Sequence, residues 1–204
     1  MASRLNGLQR TLTWQDFGSP RPGTPQPGQR ATAAQTRARP SRTIFAEHVP
    51  HTRPPQYRLR DDAVISVLLD GPQTFVNQWA LDRPEPFPTD LLHHEQGHYD
   101  MVALFCRDMF IELMDLKQQT SSTAQAVMAA AQAIFQRFDG FIAAIHAPYD
   151  NQTDHGNIPQ QQQRWDGFIR SAFTTPRTPA MTAPDGTAYK MPLLDVLRQG
   201  GVIL

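Results

Sequence analysis

A single cysteine, Cys106, stands in a chain of 204 residues. One thiol cannot close a disulfide within the chain, and it cannot build a structural zinc site from two or more thiolates. No run approaches the roughly 20 consecutive apolar residues that a membrane-spanning helix needs. An excess of either charge is also missing, since Lys plus Arg is 19 and Asp plus Glu is 19. Such a balance gives no global electrostatic reason to bind nucleic acid or an anionic membrane. Met1 to Gly18 lack the apolar stretch of a signal peptide, so the sequence shows no export signal.

What the chain does have is proline, 18 residues of it, beside an apolar fraction of 40%. The length suits one domain with a real core, and the prolines predict long loops. We read residues 1–204 as a single domain with 1–10 and about 175–204 peripheral. The Pro- and Gly-rich stretch 18–30 reads as a mobile loop. Arginines crowd the segment from Arg4 to Arg60, and acids become frequent only from Asp61; solvated loop arginines are the simplest account.

Period-two alternation over residues 11–17 predicts a short strand with Leu12 and Trp14 on one side. One or two modest strands are expected in 31–46. The strongest β signal lies in 56–69, ending in Ala63-Val64-Ile65-Ser66-Val67-Leu68-Leu69. Asp70-Gly71-Pro72 is a turn, and Thr74 to Leu81 reads as a further strand or an irregular arm carrying Trp79. After a stiff lead-in of Pro84, Pro86 and Pro88, a helix is expected from about Asp90 to Lys117, capped by Thr89. A second helix, capped by Ser122 or Thr123, runs to about His146. Its apolar set (Val127, Ala130, Ala131, Ile134, Phe138, Phe141, Ile142, Ile145) recurs at steps of mostly three and four. Pro148 is expected to stop it, leaving Tyr149 to Pro159 as a polar loop. Shorter helices follow around 160–173 and 193–198, with a hairpin turn at Asp185-Gly186. Strands first and helices after predict an α+β fold.

Inside the first long helix stands His94-Glu95-Gln96-Gly97-His98. Histidines at i and i+4 share one helical face, so both imidazoles reach a single zinc ion at about 2 Å. Glu95, next to the first ligand, is angled toward the attacking water instead of the metal. This is the constellation of a zinc metallopeptidase with a glutamate general base. Gly97 costs its helix roughly 1 kcal/mol against alanine, so something must come close there. His93 lies about 100° round the helix and reads as a surface residue or a partner of the ligands. Asp100 and Arg107, two turns apart, read as structural ion pairs. Cys106 reads as a buried thiol, and Met101 and Phe105 as packing residues. Trp14, Trp79 and Trp165 read as core or rim.

These residues resemble a bacterial family of predicted secreted zinc-dependent proteases. The likeness is carried by Leu91-Leu92-His93-His94-Glu95-Gln96-Gly97-His98-Tyr99-Asp100-Met101, followed by Cys106-Arg107. A second block, Tyr149-Asp150-x-x-Thr153-x-His155-Gly156 with Trp165 beyond, is similar too, as is the opening Leu12-Thr13-Trp14-x-Asp16-Phe17. Together they span about residues 11–170. The resemblance implies a zincin-like fold, with a small N-terminal β-sheet followed by an active-site helix and a second long helix. It further implies zinc as cofactor, a peptide or protein substrate and export from the cell.

A catalytic zinc usually takes three protein ligands. No histidine occurs between Tyr99 and Ile145, which excludes a third histidine soon after the motif. The second helix holds no glutamate, which disfavours a third ligand of that kind. His146, Asp150, Asp154 and His155 remain. His155, in the matched block, is the favoured partner of His94 and His98, with Asp150 next. Tyr149 is a candidate hydrogen-bond donor to the developing oxyanion, equally readable as a packing tyrosine. The strand near Val64 to Leu69 is the candidate for pairing with an extended substrate. The alternatives to a peptidase are a zinc amidase acting on cell-wall peptides and a catalytically inactive zinc-binding module.

Overall fold

In the computed structural model, residues 2–23, 32–177 and 188–204 are described; the expected Asp185-Gly186 turn and most of the proline-rich stretch lie outside them. The fold is mixed α and β, with small sheets first and long helices after. Three strands form the main sheet: β1 (Arg4–Asn6) and β3 (Ala38–Thr43) flank β6 (Val64–Leu69), β1 parallel to it and β3 antiparallel. β6 alternates as a half-covered strand should, with Ile65 and Val67 buried against the helices. β2 (Ala34–Gln35) pairs with β7 (Phe75–Val76), and β4 (Ala46–Val49) with β5 (Gln56–Leu59), both antiparallel.

Helix α1 (Gln78–Leu81) is one turn. α2 (Phe87–Lys117) is the axis of the molecule. From Leu104 to Met109 every residue is buried, because the sheet covers one side of the helix and α3 (Ala124–Thr153), α4 (Pro159–Thr174) and α5 (Leu193–Gln199) cover the others. A helix apolar on all sides can only be stable in such a wrapped position.

Several expectations are corrected. Residues 11–17 are not a strand: Trp14–Phe17 form a 3-10 turn. Asp16 reaches back to the Thr13 amide at 2.8 Å, and Leu12 and Phe17 fill the core from either end of the turn. α2 begins before Thr89, which caps nothing. Pro88 sits in the first turn, where its missing N–H leaves no hydrogen bond unmade. α3 runs through Pro148 to Thr153. The carbonyl that Pro148 leaves without a helical donor is that of Ala144, an exposed residue whose face of the helix is wet. Tyr149 and Asp150 are therefore helical, one turn beyond Ile145 and His146. Thr123 caps α3 as expected, accepting from the Ala126 amide at 3.1 Å.

Of the segments expected to be peripheral, the described parts around Gly7 and from Leu193 to Val202 pack into the core. Gly7 accepts a 2.6 Å hydrogen bond from the buried Tyr99 hydroxyl. Leu193, Val196, Leu197 and Val202 are core residues. Arg107 and Asp108, both buried, pair with each other and hold this C-terminal part: Arg107 donates to the carbonyls of Ala172 (2.6 Å) and Met191 (3.0 Å), and Asp108 accepts from the Leu193 amide (2.8 Å).

Candidate metal centre

The motif lies near the N-terminal end of α2, where the C-terminal turn of α3 crosses it. His94, Glu95 and His98 are all buried, at 1%, 3% and 7% exposure. Asp150 Oδ1 lies 3.1 Å from His94 Nε2 and 2.9 Å from His98 Nε2. The two rings stand nearly perpendicular, with centroids 4.8 Å apart. His155 Nδ1 lies 3.6 Å from the same oxygen, and ligand atoms of His94, Asp150 and His155 all fall within 4.8 Å of one another. A tetrahedron with bonds of about 2.0–2.1 Å has edges of about 3.3 Å; the three histidine nitrogens stand near that distance from Asp150 Oδ1, while the 4.8 Å span of the His94, Asp150 and His155 group exceeds it, so the donors would have to draw in around an ion. Imidazole nitrogens with a carboxylate oxygen are the donor chemistry zinc accepts.

Asp150 thus sits closer to the histidine pair than His155, which the sequence favoured. His155 is at the surface, its side chain 60% exposed. Burial opposes charge on Asp150, yet the hydrogen bonds of His94 and His98 outweigh it and hold the carboxyl well below the usual carboxylate range. Asp154, His155 and Gly156 all have positive φ (48°, 56° and 87°). Two consecutive non-glycine residues in the left-handed region mark a strained turn, of a kind that clusters at functional sites. Gly156 packs on His94: an added Cβ would meet the His94 Cβ at 3.1 Å.

The far side of each histidine is also held. His94 Nδ1 faces Gln162 Oε1 at 3.2 Å. The amide of Gln162 cannot turn round, because its Nε2 donates to Asp166 Oδ1 (3.0 Å) and to the Tyr149 hydroxyl (2.7 Å). Asp166 stays ionised: burial raises its carboxyl, but hydrogen bonds from His93 and Gln162 bring it below the ordinary range. Gln162 therefore presents an oxygen to His94, so Nδ1 donates to it, and Nε2 is the nitrogen that faces Asp150: by a hydrogen bond while it too carries a proton, and by way of a shared ion once that proton is lost. His98 Nδ1 meets His146 Nδ1 at 2.9 Å. Burial, and then the neighbouring His98, push His146 down to about 4, so it is neutral at pH 7 and able to accept a proton from His98.

Of the two readings of Tyr149, oxyanion donor or packing tyrosine, its surroundings match the second. It is fully buried, its ring stacked on His94 (4.5 Å, 9°), and its hydroxyl donates to the His94 carbonyl at 3.1 Å. The close approach that Gly97 anticipates is this tyrosine, since a Cβ on Gly97 would lie 2.3 Å from the hydroxyl oxygen. Gln96, inside the motif, is a clamp on the N-terminal segment: it accepts from the Leu12 amide at 2.7 Å and donates to the Arg10 carbonyl at 3.0 Å. His93 is at the surface, paired with Asp166 at 3.3 Å. Cys106 is buried as expected, and burial pushes its thiol up to about 12.

Glu95 is different from its neighbours. Its Oε2 is buried and, among the described residues, has no hydrogen-bond partner. Desolvating such an oxygen without a partner is costly, so its presence marks a place where a ligand or water belongs. Glu95 and His94 line a cleft of about 550 Å³, with Trp79, Phe87 and Leu91 along one side and Thr32 to Ala34 along another. The cleft-lining strand is β2. β6 is the central strand of its sheet, flanked by β1 and β3, and has no free edge to offer a peptide. The Asn77 amide donates to the Ala33 carbonyl at 2.9 Å, so by the alternation of a ladder the N–H and C=O of Ala34 point away from β7.

Gln162 escaped the sequence reading, and His146 entered it only as a candidate third ligand. The signal for Gln162 was present: Gln162, Trp165, Ile169 and Ala172 form the buried stripe of α4 at steps of three and four. That stripe picks the inward-facing glutamine out of the run Gln160 to Gln163. His146 is one turn before Asp150 on the same face, but a stop at Pro148 hides that relation.

No family model, no curated protein and no solved structure matches this chain.

Proposed function

We propose that the chain is a zinc-dependent metallopeptidase with a zincin-like core, in which His94, His98 and Asp150 hold the metal and Glu95 is the general base. One observation carries this reading: two histidine nitrogens, one helical turn apart, converge on a single carboxylate oxygen beside an unpartnered, buried glutamate oxygen. When bound, zinc lowers the pKa of a coordinated water toward neutrality and polarises the substrate carbonyl. Glu95, the unpaired carboxylate at the cleft, takes the proton from the attacking water and passes it to the leaving amine.

The other residues prepare these groups. Gln162 fixes the His94 proton on Nδ1 so that Nε2 faces the metal, and His146 accepts the Nδ1 proton of His98. The role sought for Tyr149 falls to His155, whose exposed ring stands at the cleft, placed to meet an oxyanion. The outward edge of β2 at Ala34 replaces β6 as the strand able to pair with an extended peptide.

The test combines metal content with turnover. Zinc-edge anomalous diffraction from crystals of the zinc-soaked protein should place one ion between His94, His98 and Asp150. Glu95→Gln should keep the zinc and the melting temperature, and lower peptide hydrolysis by about a thousandfold. A wild type that binds zinc but cleaves nothing in a broad peptide panel would leave a zinc-binding module. Absence of zinc would remove the enzyme reading altogether.

A further inference from the structure

The open end of the cleft carries a stack that the hydrolytic groups do not require. The Arg83 guanidinium lies 4.5 Å over the Phe87 ring, and the Phe87 and Trp79 rings are 6.4 Å apart at 39°. Neither aromatic is fully buried. Phe87, Leu91 and Glu95 succeed one another at steps of four on α2, so an apolar strip leads along one helical face to the general base. The lining also includes Ala33 and Ala34, whose small side chains take up little of the cleft. Among the described residues Arg83 has no carboxylate within ion-pairing distance.

We propose that Trp79, Phe87 and Leu91 form a subsite for a large apolar side chain, and that Arg83 receives a carboxylate borne by that residue or the next. The ligand class is thus an aromatic or bulky aliphatic residue with an acid beside it, including a C-terminal one. Aromatic faces and an aliphatic wall contribute by burying a ring. Arginine stacked on one of them keeps its donors in fixed geometry for a carboxylate. That the bound residue belongs to a peptide being cleaved rests on the peptidase reading; the subsite itself needs no metal.

The test uses 3-phenylpropionate and its neutral amide as probes. Binding is followed by NMR shift titration of the full chain, metal-stripped with chelator and zinc-loaded. The acid is expected to bind both forms, and the amide about three- to tenfold more weakly. Trp79→Ala should weaken both probes about tenfold. Arg83→Gln, at an exposed position, should bring the acid down to the level of the amide and leave the amide unchanged. Binding confined to the zinc-loaded form would mean that the carboxylate goes to the metal, and would overturn the subsite. So would equal binding of acid and amide by the wild type, no binding of either, or indifference to Trp79→Ala. A chain that takes no zinc yet binds the acid as described would keep the subsite and lose the peptidase.

Discussion

Helix α2 carries two buried polar clusters two to three turns apart, and they differ in one respect. At Arg107 and Asp108 every charged group is answered. The guanidinium meets Asp108 and two carbonyls, and the carboxylate meets the guanidinium and a backbone amide. At His94, Glu95 and His98 the histidines are gripped on their far sides while the near sides converge, and one glutamate oxygen has no partner. A closed cluster holds elements together. An incomplete one is held in readiness for something else, and tolerating it costs stability that the rest of the fold supplies. Residue types alone do not separate the two, since both are charged groups on an apolar helix.

The sharpest way to break the comparison is at the closed cluster. Arg107→Met leaves the Asp108 carboxylate buried without its counter-charge; burial already pushes that carboxyl up, against the pull of Arg107. A loss of about 3–5 kcal/mol in unfolding free energy is expected, measured by urea denaturation. The folded fraction should still bind zinc with wild-type stoichiometry. Loss of zinc from folded Arg107→Met protein would mean that the two clusters are not independent.

At the open cluster, Gly97→Ala is expected to cost about 2–3 kcal/mol, read by the same denaturation. Its Cβ would strike the Tyr149 hydroxyl at 2.3 Å and ring carbon Cζ at 2.8 Å, so removing the hydroxyl in Tyr149→Phe cannot fully relieve it. An unchanged melting curve would show that α3 moves freely on α2, contrary to the packing described. Gln162→Leu should then weaken zinc binding by about 10–100-fold in a chelator competition, since the proton on His94 Nδ1 loses its acceptor. Gln162→Glu combined with Asp166→Asn, which keeps an acceptor for His94 and removes the carboxylate that would otherwise face the new one, should recover most of the loss. If both variants are equally harmful, Gln162 fills space instead of setting the proton.

These clusters were unequally legible in the sequence. The histidine pair was readable because spacing on a helix is geometry: residues four apart share a face wherever the helix lies. The burial of Cys106, Met101 and Phe105 followed from the same periodicity, as did the order of strands and helices. What failed was local punctuation. Pro148 was read as a stop and Pro88 as a lead-in, yet tertiary packing carries α3 through one and the first turn of α2 absorbs the other. The stripe Val127, Ala131, Phe135, Phe138, Ile142, Ile145, Tyr149, Thr153 runs unbroken past the proline, and following it would have placed Asp150 on the helix beside His146. β2 falls within the one or two strands expected in 31–46, but its two residues carry no periodicity that would single it out at the cleft.

The smallest expected effect tests the back of the motif helix, where Asp100 faces away from the histidine pair. Burial raises its carboxyl to about 6, although Gln96 donates to it at 2.8 Å and lowers it. A carboxyl whose folded value lies above its unfolded one favours folding only while protonated. Its contribution is present below about pH 4 and is lost as pH rises through about 6. Above that range the buried charge is a net cost, lessened by the water that reaches the half-buried side chain. Asp100→Asn keeps an oxygen to accept from Gln96 and removes the charge. It should therefore be about 1 kcal/mol more stable than the wild type at pH 8 and equal to it at pH 4, by urea denaturation in metal-free buffer. A stabilisation that does not change with pH would assign the effect to packing, and a loss at pH 8 would mean that the ionised carboxylate has a partner holding it in place.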